Sequence, residues 1–272
     1  MKKIVLSSIA SVFILNAIAQ TNIQNRNRCG TIIPSQQWNE MFNQMVSKHK
    51  AQQANARLNG SNSVSSTSTY TIPVIIHVIH GGEAVGTYPN LSQSQLNSNI
   101  TVLNQDYSGT GMGVSSYTAL SSGGHGPFYD YAQAYSLPAP DSTNAGIVPA
   151  NTGINFVLAT KDTNGNILPE PGIERINYNT MGWNNPTTYT TSTDFLNYLD
   201  GTVKPATIWN ATKYFNIWIS DDNSTLPMIE YSMPPPGMGL TGISAPYSSP
   251  TTDGVWIYTN VFGSKNIEPN GT

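Results

Sequence analysis

The stretch Tyr70-Thr-Ile-Pro-Val-Ile-Ile-His-Val-Ile-His80 decides the fold. Its β-branched residues follow one another for the length of a single buried strand. The tract before it, Ala54 to Thr69, is mostly Asn, Ser, Gly and Thr. Such a composition cannot bury enough apolar surface to offset chain entropy, so it reads as a linker or accessible loop open to proteolysis. The globular part therefore starts at Tyr70.

Downstream, Ser92-Gln-Ser-Gln95 has the capping-box pattern. Leu96, Ile100, Leu103 and Tyr107 recur behind it every three or four residues, as on one face of a helix. Residues Ser108 to Asn151 show no sustained period and read as a long surface insertion. Gly153 to Thr160 is a second strand, Asp162-Thr-Asn-Gly165 a turn, and Gly172 to Tyr178 a third strand. A short helix from Ser192 to Leu199 carries Phe195, Leu196 and Leu199. The strand Thr212 to Ser220 follows, with Phe215, Ile217 and Ile219 on one face and Tyr214, Asn216 and Trp218 on the other. After the break at Pro234-Pro-Pro-Gly237 come two more strands, Leu240 to Ala245 and Gly254 to Tyr258. The tally is α+β or α/β, with few helices and no internal repeat.

Upstream, Lys2 and Lys3, the apolar run Ile4 to Leu15 and the small residues Ala17-Ile-Ala19 form a secretory signal peptide, residues 1–19, cleaved before Gln20. That places the mature chain outside the cell. No later stretch is long and apolar enough to span a bilayer. Residues 20–69 read as an extension with one amphipathic helix around Trp38, Met41 and Met45, and residues 70–272 as one large unit. Only 10% of residues are charged, the formal net charge is -3, and Lys and Arg do not cluster. These features exclude nucleic acid and anionic membranes as partners. Cys29 is the single cysteine, so no disulfide forms within the chain.

The residues alone show no catalytic constellation. Of the four histidines, His49, His77, His80 and His125, no two have the His-Glu-x-x-His spacing of a zinc protease helix. His77 and His80 lie three apart on a strand, which turns them to opposite faces and makes them structural. No Gly-x-Ser-x-Gly motif or phosphate-binding loop occurs. Asp221-Asp-Asn-Ser224 and Asp162-Thr-Asn-Gly-Asn166 carry enough oxygen ligands to admit calcium, although turn chemistry accounts for both.

The order of segments resembles the pappalysin-type metzincins. Ile72 to His80 is similar to their first strand, and Leu91 to Tyr107, ending Val-Leu-Asn-Gln-Asp-Tyr, to their backing helix. Ile154 to Ala159 with Gly172-Ile-Glu-Arg175 is similar to their next hairpin. Lys213-Tyr-Phe-Asn-Ile-Trp218 is similar to the central strand, and Asp253-Gly-Val-Trp-Ile257 with Phe262-Gly263 to the strand leading to the active-site helix. The resemblance implies an α+β upper subdomain with a twisted, mixed, five-stranded sheet and a backing helix. It also implies a secreted zinc endopeptidase that takes a protein or peptide substrate as an extra strand along Leu240 to Ala245, with Gly242, Ile243, Ser244 and Ala245 in contact. The zinc helix is expected beyond Thr272, leaving this chain inactive alone, and nothing in the sequence speaks to oligomeric state. Arg28-Cys-Gly-Thr31 is similar to a cysteine switch, so Cys29 is the expected latency ligand to that zinc. Two rivals stay open: a secreted binding or adhesion domain, and a pseudoenzyme that has lost its catalytic half.

Overall fold

Tyr70–His80 forms β1, an 11-residue strand around which the rest of the sheet is arranged. The structure is a computed structural model that describes residues 69–110, 151–233 and 249–264, with isolated helical positions between 36 and 51. Val74, Ile75, Ile76, His77 and Val78 are all 0% exposed, so β1 is covered on both faces. That burial is why its apolar residues run on without alternation.

On one edge, residues 74–78 of β1 pair in parallel with β4, Phe215–Ser220. On the other edge two short strands lie end to end. Ile154–Leu158, β2, pairs with residues 70–74 of β1, and Ile173–Asn177, β3, with residues 76–80. Outside β4 comes β6, Val255–Tyr258, again parallel, and then the antiparallel edge strand β5, Glu230–Ser232. Six strands therefore fill five positions across the sheet.

This arrangement corrects the expected hairpin between the second and third strands, because β2 and β3 run in the same direction along one edge of β1. The chain leaves that edge after Ala159, whose N–H donates to Val74 O, and rejoins it where Gly172 O accepts from Ile76 N–H at 2.8 Å. The reversal is confined to the excursion between them, where Lys161 bridges Ile167 antiparallel. Gly172 closes the excursion at φ +66°, and a Cβ there would lie 2.7 Å from Leu158 Cβ, so only glycine fits. The strand β5 went unread in the sequence because three residues carry no periodicity. Leu240 to Ala245, the edge expected there, lies outside the described residues, as do the insertion from 111 to 150 and the break at Pro234.

Helix α1, Gln93–Tyr107, starts with Ser92 Oγ accepting from Gln95 N–H at 3.2 Å. It packs Leu96 and Ile100 onto Val74, Ile76, Val78, Ile217 and Ile219. The opposite face is covered by α2, Ser192–Tyr198, and the turns after it, which bring Phe195, Tyr198, Leu199 and Val203 onto Ile79, Trp218 and Trp256. Between α2 and the short α3, Lys204–Thr207, the helix widens to a π-turn over Leu199–Val203, in which Lys204 N–H reaches Leu199 O. Pro205 has no N–H to continue the regular ladder, so the widening has a local cause. The two fully buried indoles are paired, Trp218 Nε1 donating to Thr207 Oγ1 and Trp256 Nε1 to Ser220 Oγ, each at 2.8 Å. Among the described residues no helix is long and apolar enough to cross a membrane.

Candidate functional site

Parallel strands place their carboxyl ends together, and successive strands are laid first on one side of β1, as β2 and β3, and then on the other, as β4. A crevice is therefore expected where the loops after β1, β4 and β6 meet. The structure has one there, a cleft of about 590 Å³ lined by Tyr88, Thr187, Asp221, Asp222, Asn223, Tyr258 and Asn260. Tyr88 donates its hydroxyl to Asp221 Oδ1 at 2.7 Å, and the same oxygen accepts from Asp222 N–H at 2.9 Å. Burial, then the adjacent Asp221 carboxylate, raises the pKa of the Tyr88 phenol. Tyr88 is thus a hydrogen-bond donor and not a base. Among the described residues the cleft offers two carboxylates, phenols and amides, groups that bind by hydrogen bonding.

The loop that carries Tyr88 is anchored by Arg175 of β3. Its guanidinium forks onto Glu170 through Nε to Oε2 at 2.6 Å and Nη2 to Oε1 at 2.7 Å. Nη1 donates to Asn90 Oδ1 and Leu91 O. Such a bidentate pair is strong and directional. The next residue up the strand, Glu174, faces the other way and meets His77. Sequence reading picked out Gly172 to Arg175 without assigning these roles, because the partners lie 85 and 97 residues away.

The histidines of β1 do not make a metal site. His77 is fully buried, with Nδ1 2.8 Å from Glu174 Oε2, Nε2 3.0 Å from Asn216 Oδ1, and its ring stacked on Trp218. His80 accepts from Gly82 N–H at its Nδ1. Burial lowers the His80 pKa, against Glu83 and with help from Arg175, in keeping with a neutral ring that accepts. Among the described residues no group of three or more His, Cys, Asp or Glu side chains is arranged to hold a metal ion. These residues do not fit zinc.

In the Asp162 stretch the carboxylate is engaged within its own turn. Asp162 Oδ1 accepts from the N–H groups of Asn164 and Asn166, and Oδ2 from the Asn166 amide. Those donors, the Asn166 side chain first, lower its pKa. In the other stretch Asn223 Oδ1 caps Thr225, and its amide donates to Thr187 O. Cys29 and Gly242, Ile243, Ser244 and Ala245 lie outside the described residues.

No protein-family model matches the chain, and no curated protein matches it. Among solved structures it is similar to a promirolysin variant from Tannerella forsythia, with 25% identity over 87% of this chain and 61% of that one, at a TM-score of 0.45. It is also similar to mirolysin in complex with a compound, with 27% identity over 72% of this chain and 55% of that one, at a TM-score of 0.42. A third match is mature mirolysin of Tannerella forsythia in complex with a cleaved peptide, with 25% identity over 72% of this chain and 55% of that one, at a TM-score of 0.43. The chain spans less than two thirds of the length of each.

Proposed function

We propose that this chain is the N-terminal part of a secreted zinc metalloendopeptidase precursor of the pappalysin type, with signal peptide 1–19, prosegment and linker 20–69, and an incomplete catalytic domain from 70 to 272. The observation that carries this reading is the sheet order. Four parallel positions end in an antiparallel edge strand, and one helix backs the sheet after its first strand. A mixed sheet backed by one helix is what the resemblance implies, although its strand order differs from the one expected, and an antiparallel edge strand offers backbone groups to an extended peptide. On this reading Gly242, Ile243, Ser244 and Ala245 line the substrate, and Cys29 is the latency ligand. On the same reading the zinc ligands and the general base come from residues that follow Thr272.

The experiment reads the frame downstream of Thr272 and expresses the extended protein. The expected frame encodes His-Glu-x-x-His-x-x-Gly-x-x-His within about 30 residues, given the usual limits on loop length. The extended protein then retains zinc through dialysis and digests casein after prosegment removal, whereas the 272-residue chain does neither. Cys29→Ala in the extended precursor gives activity before cleavage. A frame without the motif, or an extended protein that holds no zinc, overturns the proposal. The second reading, a secreted binding domain, draws on the polar cleft at the strand ends, and a stop directly after Thr272 favours it.

A further inference from the structure

Hydrogen-bond counting around His77 gives one proton too many for a neutral ring beside an ionised carboxylate. The Asn216 amide is fixed by three backbone contacts. Its Nδ2 donates to Trp209 O at 3.0 Å and Tyr214 O at 3.2 Å, while Oδ1 accepts from Trp209 N–H at 2.9 Å. Turning the amide over would face oxygen with two carbonyls and nitrogen with an N–H, so Oδ1 stays where it is. The imidazole Nε2, 3.0 Å from that oxygen, must therefore carry a hydrogen. On the other side Nδ1 lies 2.8 Å from Glu174 Oε2. A hydrogen is needed there too, on the ring or on the carboxyl, and a neutral imidazole has only one N–H.

We propose that His77, Glu174 and Asn216 form a buried proton-binding site whose occupancy sets how firmly the Trp209 backbone is held. The ligand is a single proton, shared across the Nδ1 to Oε2 contact. It exchanges with solvent through Glu174, whose side chain is 40% exposed while that of His77 is 0% exposed. When the proton leaves, the ring keeps one N–H. It then loses either its bond to Glu174 or its bond to Asn216, and in the second case sets a lone pair against Asn216 Oδ1. Asn216 is the residue that grips both the N–H and the C=O of Trp209. Trp209 in turn lines a hollow of about 560 Å³ with Ile208, Asn210, Pro250 and Asp253. Proton release that sets a lone pair against Asn216 Oδ1 therefore loosens one wall of that hollow.

Among the described residues, several elements pack around the pair. From β3 comes Glu174, from β4 the uncharged Asn216 and Trp218, and from the loop before β4 the uncharged Trp209. The nearby cation is Lys204, 5.5 Å from the centre of the Trp218 ring on which His77 stacks; it is paired with Asp200 and feels Asp253. On β1 itself His80 accepts from Gly82 and lies beside Glu83.

The test is a pH titration of the full chain labelled at histidine nitrogens and glutamate carboxyls, read by NMR and compared with Glu174→Gln. In the variant a side-chain amide donates to Nδ1, so a neutral ring with Nε2–H satisfies both neighbours. The expected result is that the extra proton, seen as a doubly protonated ring or as a neutral Glu174 carboxyl, is held by the folded wild type and missing from the variant at the same pH. Protection of the Trp209 amide from exchange should fall as that proton leaves. A wild-type ring with one hydrogen beside an ionised Glu174 at every pH where the chain is folded overturns the site. Equal titration in the two proteins does the same, and unchanged Trp209 protection through the titration overturns the coupling. If the variant fails to fold, the wild-type proton count alone decides.

Discussion

Gln95 donates its side-chain N–H to the carbonyl of Phe262 at 2.9 Å, which ties the first turn of α1 to the chain leaving β6. The sequence pattern assigns this glutamine to a capping box, but its side chain serves the tertiary contact instead. A second bond, Ser264 N–H to Ser98 Oγ at 2.7 Å, continues the clasp.

Gly263 sits inside the clasp at φ +92°, and a Cβ there would lie 2.6 Å from both the carbonyl oxygen and the side-chain nitrogen of Gln95. Gly263→Ala should therefore cost about 1–3 kcal/mol from backbone strain alone, before any clash. Gln95→Leu leaves the Phe262 carbonyl without this donor and should cost about 1–3 kcal/mol. Urea unfolding midpoints at unchanged slope check both.

Arg175 joins β3 to the loop bearing Tyr88, and its guanidinium is what lowers the Glu170 pKa below 4.5. Because the folded value lies below the unfolded one, the stabilisation is complete above the ordinary glutamate range. It is lost as pH falls through the lowered folded value. Arg175→Ala should cost about 2–3 kcal/mol at neutral pH, and Arg175→Lys should recover little, since an ammonium cannot fork onto both carboxylate oxygens. Unfolding free energies measured down the acid limb should show the gap between wild type and Arg175→Ala narrowing.

Lys204 is 0% exposed, 2.8 Å from Asp200 and 4.6 Å from the centre of the Tyr231 ring. Tyr231 donates its hydroxyl to the other Asp200 oxygen, so the ion pair also holds the edge strand β5. Burial lowers the Lys204 pKa from 10.5, with Asp200 opposing the shift. Its folded value therefore lies below the unfolded one. This term penalises the fold at low pH and is relieved as pH rises from the folded value toward the ordinary one. Asp200→Ala, which strands a buried ammonium, should cost about 3 kcal/mol, whereas the double variant Asp200→Leu with Lys204→Met, which replaces both partners by apolar side chains, should cost far less. Thermal melts of the two variants across neutral and alkaline pH check the order and the sign.

Tyr88→Phe keeps the ring and removes the donor to Asp221. A loss of about 1.5–3 kcal/mol is expected, the range for a hydrogen bond to a charged group. Chemical denaturation of the variant against wild type measures it.

The strands β1, β4 and β6, the apolar face of α1 and the helix at Phe195 were legible in the sequence, because a buried face repeats at a period set by the local backbone alone. So was the turning of His77 and His80 to opposite faces of β1, which follows from their spacing on a strand. The sharing of one β1 edge by β2 and β3, the three-residue edge β5 and the partners of Glu174, Arg175 and Gln95 were decided only in the tertiary structure. Each depends on which distant segment arrives at a given height on the sheet. Gln95 meets Phe262 across 167 residues, and no local pattern records a bond made over that distance. Periodicity states which face a residue turns to; only the packed chain states what it meets there.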